Sequence, residues 1–234
     1  MGKNLIQQAR GKGSPTYAAP SFRYLADVKL KHGSWQATIV DLVKSQGHSA
    51  PLAKLRYADG SDGYMISPEG VCVGMTVEAR TDAELKIGNS LTVKNIPEGA
   101  FICNIESTPG DGGRFARTSG TFGKIITKTP SKIVILLPSK KSRDFNPECR
   151  ATIGLVAGSG RPEKPFFKAG NLFHAKAAKN KKYPSIGGAV QNAVDHPFGN
   201  KRSSRKSKAR PAPKNAPPGR NVGMIRPSRT GRKK

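Results

Sequence analysis

A chain of 234 residues has room for one or two ordinary domains, and 41 Lys/Arg against 15 Asp/Glu give it a formal net charge of +26. That balance disfavours an ordinary cytosolic enzyme and points to a polyanionic partner. No apolar run reaches the roughly 18 residues needed to span a bilayer, which excludes a membrane protein of that kind.

In chain order, residues 1–34 are dotted with Gly and Lys, as in Gly11-Lys12-Gly13-Ser14-Pro15, and read as an irregular basic arm with one possible strand over 23–31. From Trp35 the pattern turns to short β-rich runs, over 35–43, 52–57, 64–66, 75–80 and 91–93. Asp59-Gly60 between two such runs is a hairpin signal. Five or six short strands without a long helical period predict a small β-barrel. A second set follows over 100–106, 115–118, 124–128, 132–137 and 151–156, punctuated by Pro130 and Pro138, and predicts a second barrel. Asn171 is a candidate cap for a short helix through Lys179. From Pro184 onward Gly, Pro, Ser, Lys and Arg dominate.

Charge is concentrated toward the end. Residues 161–234 hold 20 of the basic residues and two acids, and the last 34 residues hold thirteen basic residues and no acid. Such a segment repels itself and lacks the apolar content to offset chain entropy, so it needs a polyanion to order it. Its run from Lys201 to Arg210 reads as an RNA anchor, a nuclear-localisation signal or a solvated end. Gly and Pro let an arm follow a crooked groove, which suits folded RNA better than regular duplex DNA. The tail has no periodic apolar face, so a membrane-surface helix is not expected. Residues 1–10 lack a signal-peptide apolar core, so the protein is expected in the cytoplasm. Cys72, Cys103 and Cys149 are widely spaced, with no Cys-x-x-Cys, and all three read as small core residues of a reducing compartment. No metal and no cofactor is expected.

Two constellations carry chemistry. The run Pro109-Gly110-Asp111-Gly112-Gly113-Arg114-Phe115-Ala116-Arg117-Thr118-Ser119-Gly120-Thr121 combines glycines that let a backbone approach a partner with two guanidinium forks suited to phosphates and guanine edges. A hairpin turn with two surface arginines is the plain alternative. The run is no phosphate loop of the nucleotide-binding kind, since Gly123-Lys124 is followed by Ile125. The second is Asp195-His196-Pro197, a turn whose histidine titrates near neutrality. A general-base role would need a nucleophile and an orienting group on a scaffold. Asp195 is adjacent in sequence, Ser203 and Ser204 lie in the basic tail, and catalysis is not expected. His32, His48 and His174 read as structural or RNA-contacting.

These segments, together with Leu137-Pro138-Ser139, Ala151-Thr152-Ile153-Gly154-Leu155-Val156, Lys168-Ala169-Gly170 and Asn192-Ala193-Val194-Asp195-His196-Pro197-Phe198-Gly199, resemble in this order the universal large-subunit ribosomal protein two (L-two) family. The last of them looks like the archaeal or eukaryotic branch. The resemblance implies a mostly β fold, an OB-like barrel followed by an SH3-like barrel with extended basic N- and C-terminal arms. The boundaries expected are 1–34 for the N-terminal arm, 35–95 and 96–160 for the barrels and 161–234 for the C-terminal extension. It implies direct binding to large-subunit rRNA, contact with other ribosomal proteins, and support of subunit association, across a bridge to the small subunit, and of tRNA binding. The expected RNA-binding residues are Arg114, Arg117, Lys168, His196, Lys201, Arg202, Arg205, Lys206, Lys208 and Arg210. Asp195 and His196 match the loop that lies toward the peptidyl-transferase region. Arg117→Ala is expected to weaken rRNA binding by about 1–3 kcal/mol. The chain departs from the family at Lys140, where Gly is frequent, and at 186–192, where an expected arginine is missing. Asn200 stands where glycines usually continue.

Two rivals share the composition. An architectural DNA-binding protein with a histone-like tail would need a recognition helix or a groove-wedging hairpin. An RNA-acting enzyme would need a catalytic set for which the acids are too sparse.

Overall fold

A computed structural model describes residues 2–200 and residue 215. The described chain falls into two compact units: Pro20–Phe167 forms one, and residues 2–19 with the chain from Lys168 onward form the other.

The first unit is mostly β. Its strands are β1 (Trp35–Val43), β2 (Leu52–Tyr57), β3 (Asp62–Ile66), β4 (Thr76–Ala79), β5 (Ser90–Thr92), β6 (Phe101–Cys103), β7 (Gly123–Lys128), β8 (Ile133–Leu136), β9 (Ser142–Phe145) and β10 (Arg150–Ile153). They make one sheet in the order β3-β2-β1-β4-β5-β10-β6-β7-β8-β9. All neighbours are antiparallel except β4 and β5. Period-two patterning drives the pairing. Along β1, Trp35, Ala37 and Ile39 face inward while Gln36, Thr38 and Val40 face out. A register shift between Ile39 and Asp41 then breaks the alternation.

Apolar side chains collect in two main cores. Trp35, Ile39, Leu55, Met65 and Val77 fill one, and Leu91, Ile102, Ile125, Ile133, Ile135 and Phe145 fill the other. A smaller cluster of Val28, Leu52, Ile66, Cys103 and Val156 adds to them. The last strand in sequence, β10, lies mid-sheet between β5 and β6 and brings Arg150 beside the residues that follow β6.

Several sequence expectations need correction. Residues 23–31 form no strand. Val28 and Leu30 are buried, yet the Val28 carbonyl accepts from Arg117 and the Leu30 amide donates to the Gly112 carbonyl, so these backbone groups serve the Gly-rich turn. Residues 115–118 are reduced to a single bridge, Phe115 to Ile105, because Ala116 turns left-handed with φ of 52°. The strand expected over 100–106 stops at Cys103, where Asn104 takes φ of 48°. The polar Ser142-Arg143-Asp144-Phe145 is an edge strand, exposed at three of its four residues, and its composition carries no strand signal. Cys103 and Cys149 are buried as expected, but Cys72 is exposed. It sits in the turn closed by the Met75 amide on the Cys72 carbonyl, which leaves Cys72 and Val73 outside the core.

In the second unit, the N-terminal segment is not wholly irregular. Helix α1 (Ile6–Gly11) opens with the Gln8 side-chain oxygen accepting from the Leu5 amide. Helix α2 (Ala169–Ala177) starts earlier than expected, with Lys168 and not Asn171 at its N-cap. It buries none of its own residues. The Asn180 amide that follows it donates to the Pro15 and Ala18 carbonyls.

Candidate nucleic-acid interface

The Gly-rich turn is built around one carboxylate. Glu106, with no exposed surface, accepts from the Gly110 amide (3.2 Å), the Gly112 amide (3.2 Å), the Arg150 amide (2.8 Å) and the Arg150 guanidinium (3.1 Å). Four donors satisfy a charge that would otherwise be costly to bury. Arg150 in turn donates to the Lys31 carbonyl at 2.8 Å, so one ion pair ties the turn, β10 and the segment before β1 together.

Asp111 orders the rim of the same turn. It accepts from the amides of Gly113, Ser107 and Thr108. Burial raises its pKa, but these three N–H groups and nearby Arg114 outweigh that, and the carboxyl sits below the usual range. Gly113 is required by geometry. Its φ is 100°, and a side chain there would overlap the Asn104 amide and carbonyl.

The two expected arginines have separate tasks. Arg114 has a side chain 69% exposed and only a loose pairing with Asp111 at 3.8 Å, so its guanidinium is presented outward. Arg117 is half-buried and donates to the Gly113 carbonyl (2.9 Å) and the Val28 carbonyl (2.6 Å). Burial pulls its pKa down, though an arginine stays cationic near neutrality. Arg117 is therefore a strut of the turn, whereas Arg114, three residues earlier, faces solvent. Arg143 on β9 lies 4.7 Å from the Phe115 ring, itself edge-on to Phe145, and holds the turn against the edge of the sheet.

The second unit carries the Asp195-His196 turn. The His196 Nδ1 accepts from the Phe198 amide at 3.0 Å, which leaves the proton of the neutral ring on Nε2. Burial lowers its pKa and favours that neutral form. A side chain at Gly188 would overlap the imidazole. From the N-terminal segment the Lys3 amide donates to the Val194 carbonyl at 2.8 Å and its ammonium stands 3.5 Å from Asp195. The fastening of this turn by Lys3 joins opposite ends of the described chain, and no local pattern signals it. Lys168 is exposed at the start of α2. Lys201, Arg202, Arg205, Lys206, Lys208 and Arg210 lie outside the described residues.

His32 and His48 belong to the first unit, where His48 meets Ser45 at 2.8 Å and stacks edge-on with Tyr24. His174 meets the Phe173 ring edge-on in α2. Among the described residues no group of His, Cys, Asp and Glu is placed to hold a metal ion, and no helix is long and apolar enough to cross a membrane. The buried Glu106–Arg150 pair is not visible in the sequence because its partners stand 44 residues apart.

A mostly β unit with a braced Gly-Arg turn, in a chain of formal net charge +26, defines a strongly basic β protein. Residues 86–216 match the family model described as Ribosomal Proteins L2, C-terminal domain. The chain is 46% identical over 234 residues to the large ribosomal subunit protein uL2 of Archaeoglobus fulgidus, covering 99% of both chains. It is 45% identical to that of Haloarcula marismortui, over 99% of this chain and 98% of that one. With the protein of Methanococcoides burtonii the identity is 43% over the whole of both. The chain belongs to the uL2 family, as the motifs from 109 to 199 suggested, and of the two branches those motifs left open, these relatives are archaeal.

Proposed function

We propose that this chain is a structural constituent of the large ribosomal subunit that binds its rRNA and performs no catalysis of its own. The observation that carries this reading is the division of labour in the Gly-rich turn. Glu106, Asp111 and Arg117 fix the loop from inside and leave Arg114 turned outward to meet a phosphate or a guanine edge. Family membership over the full length supports it. The same reading keeps Arg117, Lys168 and His196 as residues near RNA, with the basic run Lys201 to Arg210 as an anchor along phosphates. Asp195 and His196 are taken to lie toward the peptidyl-transferase region, with a neutral His196 propping an RNA loop. The division into arms at 1–34 and 161–234 and barrels at 35–95 and 96–160 belongs to this proposal. The two main cores support the paired barrels. Contact with other ribosomal proteins, a bridge to the small subunit and support of tRNA binding complete it.

Sucrose-gradient sedimentation of cell lysate at low and high salt tests the reading. Retention of the protein in the large-subunit peak at high salt is expected. Release to the top of the gradient, or migration with DNA, would refute it.

A further inference from the structure

We propose that Phe166 and Phe167 form a stacking platform for unpaired bases of RNA, an inference that rests on the RNA-binding reading above. All ten residues from 161 to 170 are exposed, so the segment contributes nothing to either core. Yet it carries two adjacent phenyl rings, Phe166 at 56% and Phe167 at 86% exposure. Phe167 is the most exposed of the large apolar residues described. Two neighbouring rings left in water are unfavourable unless a partner covers them.

The chemistry of the flanks selects the partner. Lys164 and Lys168 bracket Pro165-Phe166-Phe167, and Glu163 is the one acid between 161 and 170. An aromatic pair between cations matches a single strand, whose bases stack on rings while its phosphates meet ammonium groups. A protein surface fits less well, because interface cores are depleted in Lys. The start of the segment is fastened, since Arg161 Nε donates to the buried Ser119 hydroxyl at 2.9 Å. Ser119 lies in the same Gly-rich run that presents Arg114. Pro165 restricts the backbone entering the pair and lowers the entropy lost on binding.

The test uses the full chain and a short oligouridylate carrying one 2-aminopurine, whose fluorescence falls when it stacks. The wild type, a Phe166→Leu/Phe167→Leu variant and a Phe166→Tyr/Phe167→Tyr variant are titrated at several salt concentrations. Wild type and the Tyr variant should quench the probe. The Leu variant should lose quenching and about tenfold in affinity per ring, with an unchanged salt slope because no charge is altered. Equal affinity and quenching in the Leu variant would overturn the platform while salt-dependent binding by all three kept the RNA reading intact. Unaltered RNA binding by the Leu variant with weakened incorporation into large subunits would assign the rings to a protein surface instead. Absence of salt-dependent RNA binding by the wild type would remove the platform and the parent reading together.

Discussion

Glu106 is where a single residue decides the most. Its carboxylate holds two amides of the Gly-rich turn, one of β10 and the Arg150 guanidinium, whose side chain is 15% exposed. Glu106→Ala strands a nearly buried cation and three N–H groups, and should lower stability by about 3–5 kcal/mol in urea unfolding. Asp111 adds a pH dependence. Its folded pKa lies below the unfolded value, so its contribution is complete above the unfolded value, near 3.9, and is lost as pH falls through the folded pKa. Asp111→Asn should therefore lose less stability than wild type on acidification below about pH 4. The two arginines divide the same way. Arg114→Ala should weaken rRNA binding and leave stability within about 0.5 kcal/mol. Arg117→Ala should lower the unfolding free energy by about 1–3 kcal/mol, since the Val28 and Gly113 carbonyls lose their donor, and any loss of RNA affinity should follow from that. In the sequence these residues are two arginines three apart in a glycine run, and nothing local separates them. The difference arises from Val28, which is 89 residues away.

Among the elements, β10 shows how far the pattern could be read. Strands with clear alternation or continuous apolar runs, such as β1, β2 and β8, were legible at or within a residue of their bounds. Three segments failed, each for its own reason: the stretch before β1, whose backbone groups bond to residues more than 80 positions away, residues 115–118, where Ala116 turns left-handed, and the polar edge strand β9, whose composition carries no strand signal. Strand β10 was legible as a strand, but its seat between β5 and β6 was not, because register and neighbour choice depend on contacts across the sheet. One of those contacts is polar. The Thr152 and Ser90 hydroxyls meet at 2.9 Å, both buried, where β10 pairs with β5. Thr152→Val orphans the Ser90 hydroxyl and should cost about 1–3 kcal/mol. The double variant with Ser90→Ala removes both polar partners and should recover part of that loss. A double-mutant cycle in urea checks it, and purely additive losses would show that the hydroxyl pair is not coupled.

At the scale of the whole molecule, charge is the dominant property and also the most legible one. Net charge needs no fold to be counted, and its concentration after residue 160 is visible in the sequence alone. Removing residues 201–234 would take away thirteen of 41 basic residues and no acid, which is half of the net +26. If those residues neutralise phosphates, every phosphate left without its cation should flatten the plot of log affinity against log salt by about 0.7–0.9. A chain ending at residue 200 should therefore bind cognate rRNA more weakly at low salt, with a shallower slope. Its preference for the cognate fragment over unrelated RNA should persist, because Arg114 and the braced turn remain. That separation follows from the two kinds of interaction, since phosphates supply affinity and positioned side chains supply discrimination. A truncated chain with an unchanged slope would place the neutralised phosphates elsewhere on the protein. One that kept its affinity for bulk RNA but lost its preference would make the tail the selective element and reduce the Gly-rich turn to a structural brace.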